Sequence, residues 1–448
     1  MPINDWIDAE TRVERARVLY EKGRWVEAAA ELRAAIDVHP DNADWHFNLA
    51  LTFDAMEEFS RAIESYQAAM ALDPNDLETL NCLGVDLTRL GRYAEALEFF
   101  GRIQKLDPTY EASYCNRIIT YLEMGDHDNA ELMFYLARQV KPECPLCFYN
   151  IGLSFHSRRL FDRAIGCWQQ ALALDAKHPD AHNRIADAYW EKGDLAQAAV
   201  YYQRELDHDP ANVDALLDMG ELLLEMGRHN EAAEKFRCVL EQSPDHATAH
   251  FCLGEIAIKQ DKLTRAEEQF RLVLRIEPDY PAAHARLGQL LLRTGRTKHA
   301  AKHLLAELQR CGDNADMLQE LGQLLIEAGH VYRANGVLKR VVRLRPDDAV
   351  AHHNLAVSFF MLDQYDDGIR HCRRALRLRR DYPLALYNLA LAHLQIGQKA
   401  RARRYVGLAL LRSPEDAQLL QLSRRLGMDG LWPRMKEWLK GVRLFRRR

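Results

Sequence analysis

Apolar residues recur along this chain in pairs of stripes, and each stripe has the spacing of one face of an α-helix. A representative first stripe, at i, i+3, i+4 and i+7, consists of Leu80, Leu83, Gly84 and Leu87. The second stripe of the same pair consists of Ala96, Phe100 and Ile103. Gly91 lies between the stripes, and Pro108 follows the second one, where its missing N–H stops a helix from continuing. This spacing predicts two amphipathic helices joined by a short turn.

The pair of stripes recurs twelve times on a 34-residue period, from Ala9 to Asp416, with no inserted or deleted residue. Position 20 of the repeat is alanine in eleven copies and Gly368 in the remaining one. Position 8 is glycine or alanine in every copy except one, which has Ile118, and position 32 is proline in nine copies. A strict period of this length is typical of helical repeat proteins.

The small residues at positions 8 and 20 explain how the two helices of a copy can pack. Without bulky side chains at the crossing, the two helix axes can approach to roughly 8–10 Å. Glycine occupies the turn between the helices in eight copies, for instance Gly23, Gly125, Gly227 and Gly397, where it can adopt a positive φ. No copy has the alternating pattern of a strand, so the predicted fold class is all-α with no β-sheet.

The combination of a small residue at position 8, alanine at 20, an aromatic residue or leucine at 24 and proline at 32 resembles the tetratricopeptide repeat family. The resemblance implies a right-handed superhelical solenoid of helix-turn-helix repeats, whose first helices line a concave groove. We therefore expect an N-terminal lead-in over residues 1–8 and twelve contiguous repeats over 9–416. A capping helix over 417–427 would cover the last repeat, and a basic amphipathic tail would follow over 428–448.

Composition is that of an ordinary soluble protein, with 48% hydrophobic and 28% charged residues and a net charge of −5. No run approaches the roughly 20 apolar residues that cross a bilayer, and the first ten residues lack the basic and apolar segments of a secretory signal. Nine cysteines without an export signal indicate a reducing compartment and free thiols. We expect a cytoplasmic protein, with a peripheral position at a membrane as the alternative.

Charge is distributed unevenly along the chain. Residues 331–448 contain 25 Lys and Arg against 10 Asp and Glu, whereas residues 1–330 contain 35 against 55. The second helices of the last two copies are rich in arginine, which we interpret as a solvated outer face. The alternative is a docking surface for an acidic partner or an anionic membrane. Nucleic acid is disfavoured as a partner, because no aromatic stacking pattern accompanies the arginines.

The C-terminal tail combines apolar and basic residues at helical spacing. Its candidate docking residues are Trp432, Arg434, Trp438, Lys440, Arg443, Arg446 and Arg447. A basic helix with two tryptophans can lie in a membrane interface or bind in a partner's groove. The third possibility is that its apolar face folds back on the repeats. The sequence leaves these three alternatives open, as it does the oligomeric state.

Motifs for catalysis and metal binding are poor. The sequence has no phosphate-binding Gly-x-x-x-x-Gly-Lys run, no Gly-x-Ser-x-Gly elbow and no His-Glu-x-x-His helix. Cys144 and Cys147 have Cys-x-x-Cys spacing, but a zinc site would need a second ligand pair nearby and a redox motif would need a βαβ context. Cys115 is interpreted as a small packing residue. We predict no catalytic residues, no metal and no cofactor, and hence no enzyme.

The free face of the first helices is the predicted binding surface. Positions 4, 7, 8 and 11 are used for packing, which leaves positions 5, 6, 9 and 12. In copies 2–5 this face is apolar with interspersed asparagines, in copies 6–10 it becomes polar and acidic, and copies 11 and 12 return to the first character. The candidate peptide-binding residues are Phe47, Asn48, Leu51, Asn116, Tyr149, Asn150, Leu153, His353, Asn354, Phe360, Tyr387 and Asn388.

Asparagine at position 6 in five copies suggests how a peptide could bind. Each amide offers a donor and an acceptor, so a row of amides can pair with an extended backbone whatever its sequence. The pattern resembles the asparagine ladder in the repeat arm of O-linked N-acetylglucosamine transferases, although it is interrupted between Asn150 and Asn354. The alternative is that asparagine is simply tolerated in that column.

The sequence therefore predicts a non-catalytic scaffold that binds an extended peptide or protein segment in the concave groove. One alternative is a peripheral membrane assembly factor held by the basic tail. Another is an accessory arm of a separately encoded enzyme such as a glycosyltransferase.

Overall fold

The computed structural model describes residues 3–178 and 180–428, which contain α-helices and no β-strand. The helices of the first six copies are α1 (Ile3–Glu21), α2 (Trp25–Val38), α3 (Ala43–Ala55), α4 (Phe59–Leu72), α5 (Leu77–Arg89), α6 (Tyr93–Leu106), α7 (Glu111–Glu123), α8 (His127–Val140), α9 (Pro145–Ser157), α10 (Phe161–Leu174), α11 (Ala181–Lys192) and α12 (Leu195–His208). Those that follow are α13 (Val213–Glu225), α14 (His229–Gln242), α15 (Ala247–Lys259), α16 (Leu263–Ile276), α17 (Ala283–Arg293), α18 (Thr297–Arg310), α19 (Ala315–Glu327), α20 (Val331–Leu344), α21 (Ala349–Met361), α22 (Tyr365–Leu378), α23 (Pro383–Gln395), α24 (Lys399–Leu410) and α25 (Ala417–Arg425).

Each copy of the sequence period forms one antiparallel pair of helices, which confirms the all-α repeat fold. The odd-numbered helix of each pair is the first helix, and the even-numbered helix is the second. Helix α1 begins at Ile3, so most of the expected lead-in over 1–8 is helical. None of the helices within 3–178 and 180–428 combines the length and the apolar character that a membrane span requires.

The turn inside every pair uses a left-handed residue at repeat position 15. Eight of the twelve are glycines with φ between 70° and 86°, including Gly23, Gly125, Gly227 and Gly397, which confirms the predicted role of these residues. The other four are Glu57, Arg159, Asp261 and Asp363, with φ between 57° and 59°. Because a side chain disfavours this conformation by roughly 1–2 kcal/mol, these four turns are less favourable than the glycine turns.

Glycine at position 8 makes room for a large side chain at position 24 of the same copy. A Cβ on Gly84 would lie 2.6 Å from Phe100, and one on Gly254 would lie 2.8 Å from Phe270. Both rings are fully buried. The small residue at position 8 therefore accommodates one large side chain at position 24. The sequence alone predicts only that small residues let the two helix axes approach closely.

The chain divides into two compact units, residues 1–235 and 236–448, with the boundary inside α14. The core of the first unit includes Leu80, Leu83 and Phe100, and the second has a comparable cluster around Leu304 and Leu321. At its C-terminal end, the second unit is covered by α25. Four buried apolar side chains of α25 and the residues after it pack in one cluster with the last repeat: Leu419, Leu422, Leu426 and Met428.

Candidate functional site

The predicted binding face of copies 2–5 lies on the first helices α3, α5, α7 and α9, all in the first unit. Helix α7 contacts both α5 and α9, so the first helices of copies 3–5 lie side by side. We call this surface the amide–apolar stripe, and it consists of Phe47, Asn48, Leu51, Asn116, Tyr149, Asn150 and Leu153. Asn48 is exposed, Asn150 is buried, and the other five residues are half-buried.

At its N-terminal end the amide–apolar stripe borders an apolar cavity. The cavity has a volume of about 150 Å³ and is lined by residues of copies 1 and 2, among them Val13, Leu32, Asn48 and Leu51. Phe47 is adjacent, and its ring packs against the fully buried Tyr66 at 5.6 Å between centroids. A small apolar side chain of a ligand would fit this cavity, with the exposed Asn48 amide at its edge.

Tyr149 is the aromatic residue at the opposite end of the amide–apolar stripe, and its neighbours hold it in place. Its ring stacks on the imidazole of His178, with 4.6 Å between centroids. The indole Nε1–H of Trp168 donates to the Tyr149 carbonyl oxygen at 3.0 Å, which fixes the backbone beneath the ring. Arg184, from the next copy, interacts with Tyr149, and this interaction raises the pKa of the guanidinium.

The asparagines of position 6 differ in how their amides are used. The Asn116 Nδ2 donates to Asn81 Oδ1 at 2.8 Å, and in the second unit the Asn388 Nδ2 donates to His353 Nε2 at 2.9 Å. In both pairs, position 6 of one copy contacts position 5 of the copy before it. These two donors are therefore partly used in holding neighbouring first helices together, a role that the ladder hypothesis did not include.

Asn150 and Asn354 occupy the same repeat position, and within the described residues their buried Nδ2 atoms have no hydrogen-bond partner. An unsatisfied buried donor costs roughly 1–3 kcal/mol. Rotation of the terminal amide is soft, so such a group can turn toward a backbone carbonyl placed on the surface. Asn150 is therefore the amide of the amide–apolar stripe with the most to gain from a ligand.

Beyond Tyr149, the first unit contains an acidic cavity of about 500 Å³. Its walls come from copies 5–7 and consist of His156, Arg184, Asp187, Trp190, Glu191 and Glu225. His156 Nε2 lies 3.2 Å from Glu191 Oε1, and the Trp190 Nε1–H donates to Glu225 Oε2 at 2.6 Å. Three carboxyl groups face one guanidinium, so the cavity suits a positively charged side chain. Sequence reasoning noted the acidic character of these copies but did not select Trp190, Glu191 or Glu225.

Burial perturbs the carboxyl groups on this side of the first unit. It raises the pKa of Asp187, whose Oδ1 accepts a 2.5 Å hydrogen bond from the Tyr202 hydroxyl. It also raises the pKa of Asp218 to about 6, assisted by the neighbouring charge of Asp187. In copy 3, burial and the nearby Asp54 raise the pKa of Asp86 to about 7.

The candidate residues of copies 11 and 12 lie in the second unit and are more involved in packing. His353 and Asn354 are buried, and burial lowers the pKa of the His353 imidazole. The Phe360 ring occupies the space that a Cβ would fill at Gly368. Tyr387 is half-buried and contacts the C-terminal core cluster. This second face offers less free surface than the amide–apolar stripe.

Part of the arginine-rich end is paired within the chain. Arg374 forms an ion pair with Asp347 at 2.8 Å, and the Arg403 Nε–H donates to the Leu426 carbonyl oxygen. At these two positions the arginines are therefore engaged within the chain. The predicted docking residues of the tail lie outside the described residues, and they are Trp432, Arg434, Trp438, Lys440, Arg443, Arg446 and Arg447.

The Cys-x-x-Cys pair has a neighbour that sequence reasoning overlooked. Cys115, on α7, places its Sγ 2.7 Å from that of Cys147 and 3.5 Å from that of Cys144. All three side chains are buried. Cys115, interpreted from the sequence only as a small packing residue, therefore adds a third sulfur beside the pair. The same 32-residue spacing separates Thr88 and Thr120, whose hydroxyls are 2.9 Å apart.

Family models of helical repeats match much of the chain. Models described as tetratricopeptide repeat match residues 13–76, 77–110 and 359–426, and a TPR repeat model matches 152–193. A model described as cilia and flagella-associated protein 70 C-terminal domain matches residues 177–382.

Curated relatives are similar over part of their length. The peroxisomal targeting signal receptor of Saccharomyces cerevisiae is 25% identical over 228 residues, which cover 47% of this chain and 36% of the receptor. The type IV pilus assembly protein PilF of Pseudomonas aeruginosa is 25% identical over 197 residues, covering 44% of this chain and 66% of PilF. The matches thus span about a third of the receptor and just under two thirds of PilF. Among solved structures, the APC/C hetero-tetramer Cut9–Hcn1 aligns over 92% of this chain and 95% of its own, at 15% identity and a TM-score of 0.43.

Proposed function

Because the chain belongs to the tetratricopeptide repeat family, we propose that it is a non-catalytic cytoplasmic adaptor that binds an extended segment of a partner protein. The segment lies along the amide–apolar stripe of copies 2–5. Its apolar side chains contact Phe47, Leu51, Tyr149 and Leu153, and its backbone pairs with the asparagine amides.

The observation that carries this proposal is the placement of two different cavities beside one stripe of half-buried apolar and amide side chains. The 150 Å³ cavity next to Leu51 accepts a small apolar group. The 500 Å³ cavity between His156 and Glu225 is lined by three carboxyl groups and accepts a cation. The preferred ligand is therefore an extended peptide with apolar residues toward one end and lysine or arginine toward the other.

The relatives support a role in protein recognition. By its name, the yeast relative is a receptor for a targeting signal, and PilF is an assembly protein. Both descriptions concern proteins that engage other proteins, and we extend only that general role to this chain.

The test begins with a random library of short linear peptides screened against the intact chain. We expect the enriched peptides to combine apolar residues with at least one lysine or arginine. Tyr149→Ala with Leu153→Ala should then weaken binding of an enriched peptide at least about tenfold, since each lost contact is worth on the order of 1 kcal/mol at a half-buried site. Fluorescence polarisation measures the affinity.

The matched control carries the same two substitutions on the second helix α8. Leu132 and Tyr135 are about half exposed, at 50% and 49%, and the Tyr135 hydroxyl donates to Glu131 Oε1 across one helical turn. Leu132→Ala with Tyr135→Ala should leave binding within about twofold of the wild type. Equal loss in both double variants, or no loss in the first, would overturn the assignment to the amide–apolar stripe.

A further inference from the structure

Three cysteine thiols converge at the junction of copies 4 and 5. Cys115 projects from α7, Cys144 is the N-cap of α9, and Cys147 lies in the first turn of α9. All three Sγ atoms lie within 4.8 Å of one another. The residues are 3%, 2% and 0% exposed, so the thiols face one another in the interior of the protein.

This geometry is close to what a tetrahedral thiolate site needs. Zinc–sulfur bonds of about 2.3 Å in tetrahedral geometry place the sulfurs about 3.8 Å apart. The present separations are 2.7 Å between Cys115 and Cys147 and 3.5 Å between Cys115 and Cys144, and χ1 rotations of cysteine cover the difference. A disulfide would join only two of these sulfurs and would not account for the position of the third.

The surroundings of Cys144 favour its thiolate form. The backbone N–H of Cys147 donates to the Sγ of Cys144 at 3.1 Å, as expected where a helix N-terminus stabilises negative charge. Lys141 lies nearby and forms a 2.7 Å ion pair with Glu111. The Glu111 carboxyl in turn interacts with the Cys144 thiol, so an oxygen donor stands next to one of the three sulfurs.

We propose that Cys115, Cys144 and Cys147 form a structural metal site for Zn²⁺, with the carboxylate of Glu111 as the fourth ligand. On binding, each coordinating thiol forms a sulfur–zinc bond and releases its proton to solvent, so three protons leave for each Zn²⁺. Three sulfurs with one carboxylate oxygen is a donor set for zinc, whereas copper(I) is usually held by sulfur alone. Lys141 offsets the negative charge of the filled site.

The consequence of this site is a cross-link between α7 and α9. Cys115 is adjacent to Asn116, and Cys147 is two residues from Tyr149. Bound zinc would fix these two parts of the amide–apolar stripe relative to each other. The metal proposal does not depend on the proposed function, because metal binding is measured directly and without a peptide.

The test uses the full chain, reduced and freed of metal, and titrates it with Zn²⁺ alone in competition with a chelating dye. We expect one zinc per chain and a release of protons on binding. Titration with Co²⁺ should give thiolate-to-cobalt charge-transfer absorption and the visible bands of a tetrahedral site. The triple variant Cys115→Ser, Cys144→Ser, Cys147→Ser should lose stoichiometric binding.

The matched control replaces three other cysteines, Cys167, Cys238 and Cys311, which are half-buried and far apart in sequence. That variant should bind zinc as the wild type does. Glu111→Gln keeps all three sulfurs and should weaken zinc binding at least about tenfold, which gives a second measurement if the triple serine variant does not fold.

The proposal is overturned if the reduced wild-type chain binds no more zinc than the triple serine variant, or if the three-cysteine control loses the site as well. It is also overturned in part if Glu111→Gln binds Zn²⁺ as tightly as the wild type does, since Glu111 is then not the fourth ligand. A disulfide between Cys115 and Cys147 in protein isolated under reducing conditions would likewise contradict it.

Discussion

Gly152 on α9 leaves the space that the indole of Trp168 on α10 occupies, and this contact gives a stability prediction of defined sign. A Cβ at position 152 would lie 2.7 Å from Trp168 Cδ1 and 2.8 Å from Cε2. Trp168 is fully buried, and its Nε1 bonds to the Tyr149 carbonyl oxygen at 3.0 Å. The ring cannot move away from an alanine methyl group without weakening that hydrogen bond.

The magnitude follows from three contributions. Overpacking costs about 1–3 kcal/mol, and the weakened hydrogen bond costs up to about 1.5 kcal/mol. The higher helix propensity of alanine returns about 1 kcal/mol. Gly152→Ala should therefore lower the free energy of unfolding by up to about 3.5 kcal/mol.

Gly166, on α10 of the same copy, provides the matched control. Among the described residues, no atom lies within 4 Å of a Cβ built there. Gly166→Ala should therefore gain only the higher helix propensity of alanine, which raises the free energy of unfolding by about 0.5–1 kcal/mol. Urea unfolding of each full-length variant, followed by far-ultraviolet circular dichroism, measures both changes. Changes of the same sign in the two variants would refute this account of the packing between positions 8 and 24.

Three further predictions concern a turn, a histidine pair and the acidic cavity. Arg159→Gly should raise the urea midpoint, with a gain of about 1 kcal/mol, because Arg159 adopts a φ of 59° that glycine adopts without strain. Burial lowers the pKa of His303 to about 4, and its Nδ1 lies 2.8 Å from the Nδ1 of His284. Between about pH 6.5 and 4 the folded chain therefore binds fewer protons than the unfolded chain. The free energy of unfolding should fall as the pH drops through that window. His303→Gln should reduce this fall by roughly 1–2 kcal/mol, discounted for the half-exposed ring. Asp187→Asn with Glu191→Gln should weaken an enriched basic peptide several-fold and reduce the salt dependence of its binding.

A specific outcome would contradict each of these three predictions. For the turn, Gly91→Ala places a methyl group in open space at φ 73°, so it should destabilise, and a stabilised variant would contradict the strain argument. For the histidine pair, an acid dependence that is identical in wild type and His303→Gln would show that the pair does not contribute. For the cavity, equal weakening of a peptide without basic residues would mean that charge is not what the carboxylates recognise.

Much of the fold follows from the repeat period, because the helix pair and its left-handed turn at position 15 recur in every copy. The left-handed turn at position 15 could be predicted where it is Gly23 or Gly125, but not where it is Glu57 or Arg159. In those copies the packing of the two helices holds the turn against the preference of the residue. The small residues at position 8 were evident in the sequence. Their reason, a large side chain at position 24 that fills the space of a Cβ, became clear from the structure.

Contacts between copies were harder to predict, since they depend on how far each first helix is shifted along the next. Asn81 meets Asn116 at a spacing of 35 residues, whereas Cys115 meets Cys147 at a spacing of 32. Neither spacing equals the 34-residue period, so no single column of the repeat reveals such pairs. The cysteine cluster and the acidic cavity both arise from contacts of this kind, so the sequence alone did not predict them.

We propose that a partner segment binds to the first helices of copies 2–5. The most direct measurement is photo-crosslinking of an enriched peptide to chains in which one leucine is replaced by p-benzoylphenylalanine. Replacement of Leu153 on α9 should crosslink the peptide, and excess unlabelled peptide should suppress the product. Replacement of Leu132 on α8 should give none. Equal crosslinking at the two positions, or crosslinking at Leu132 alone, would contradict the claim.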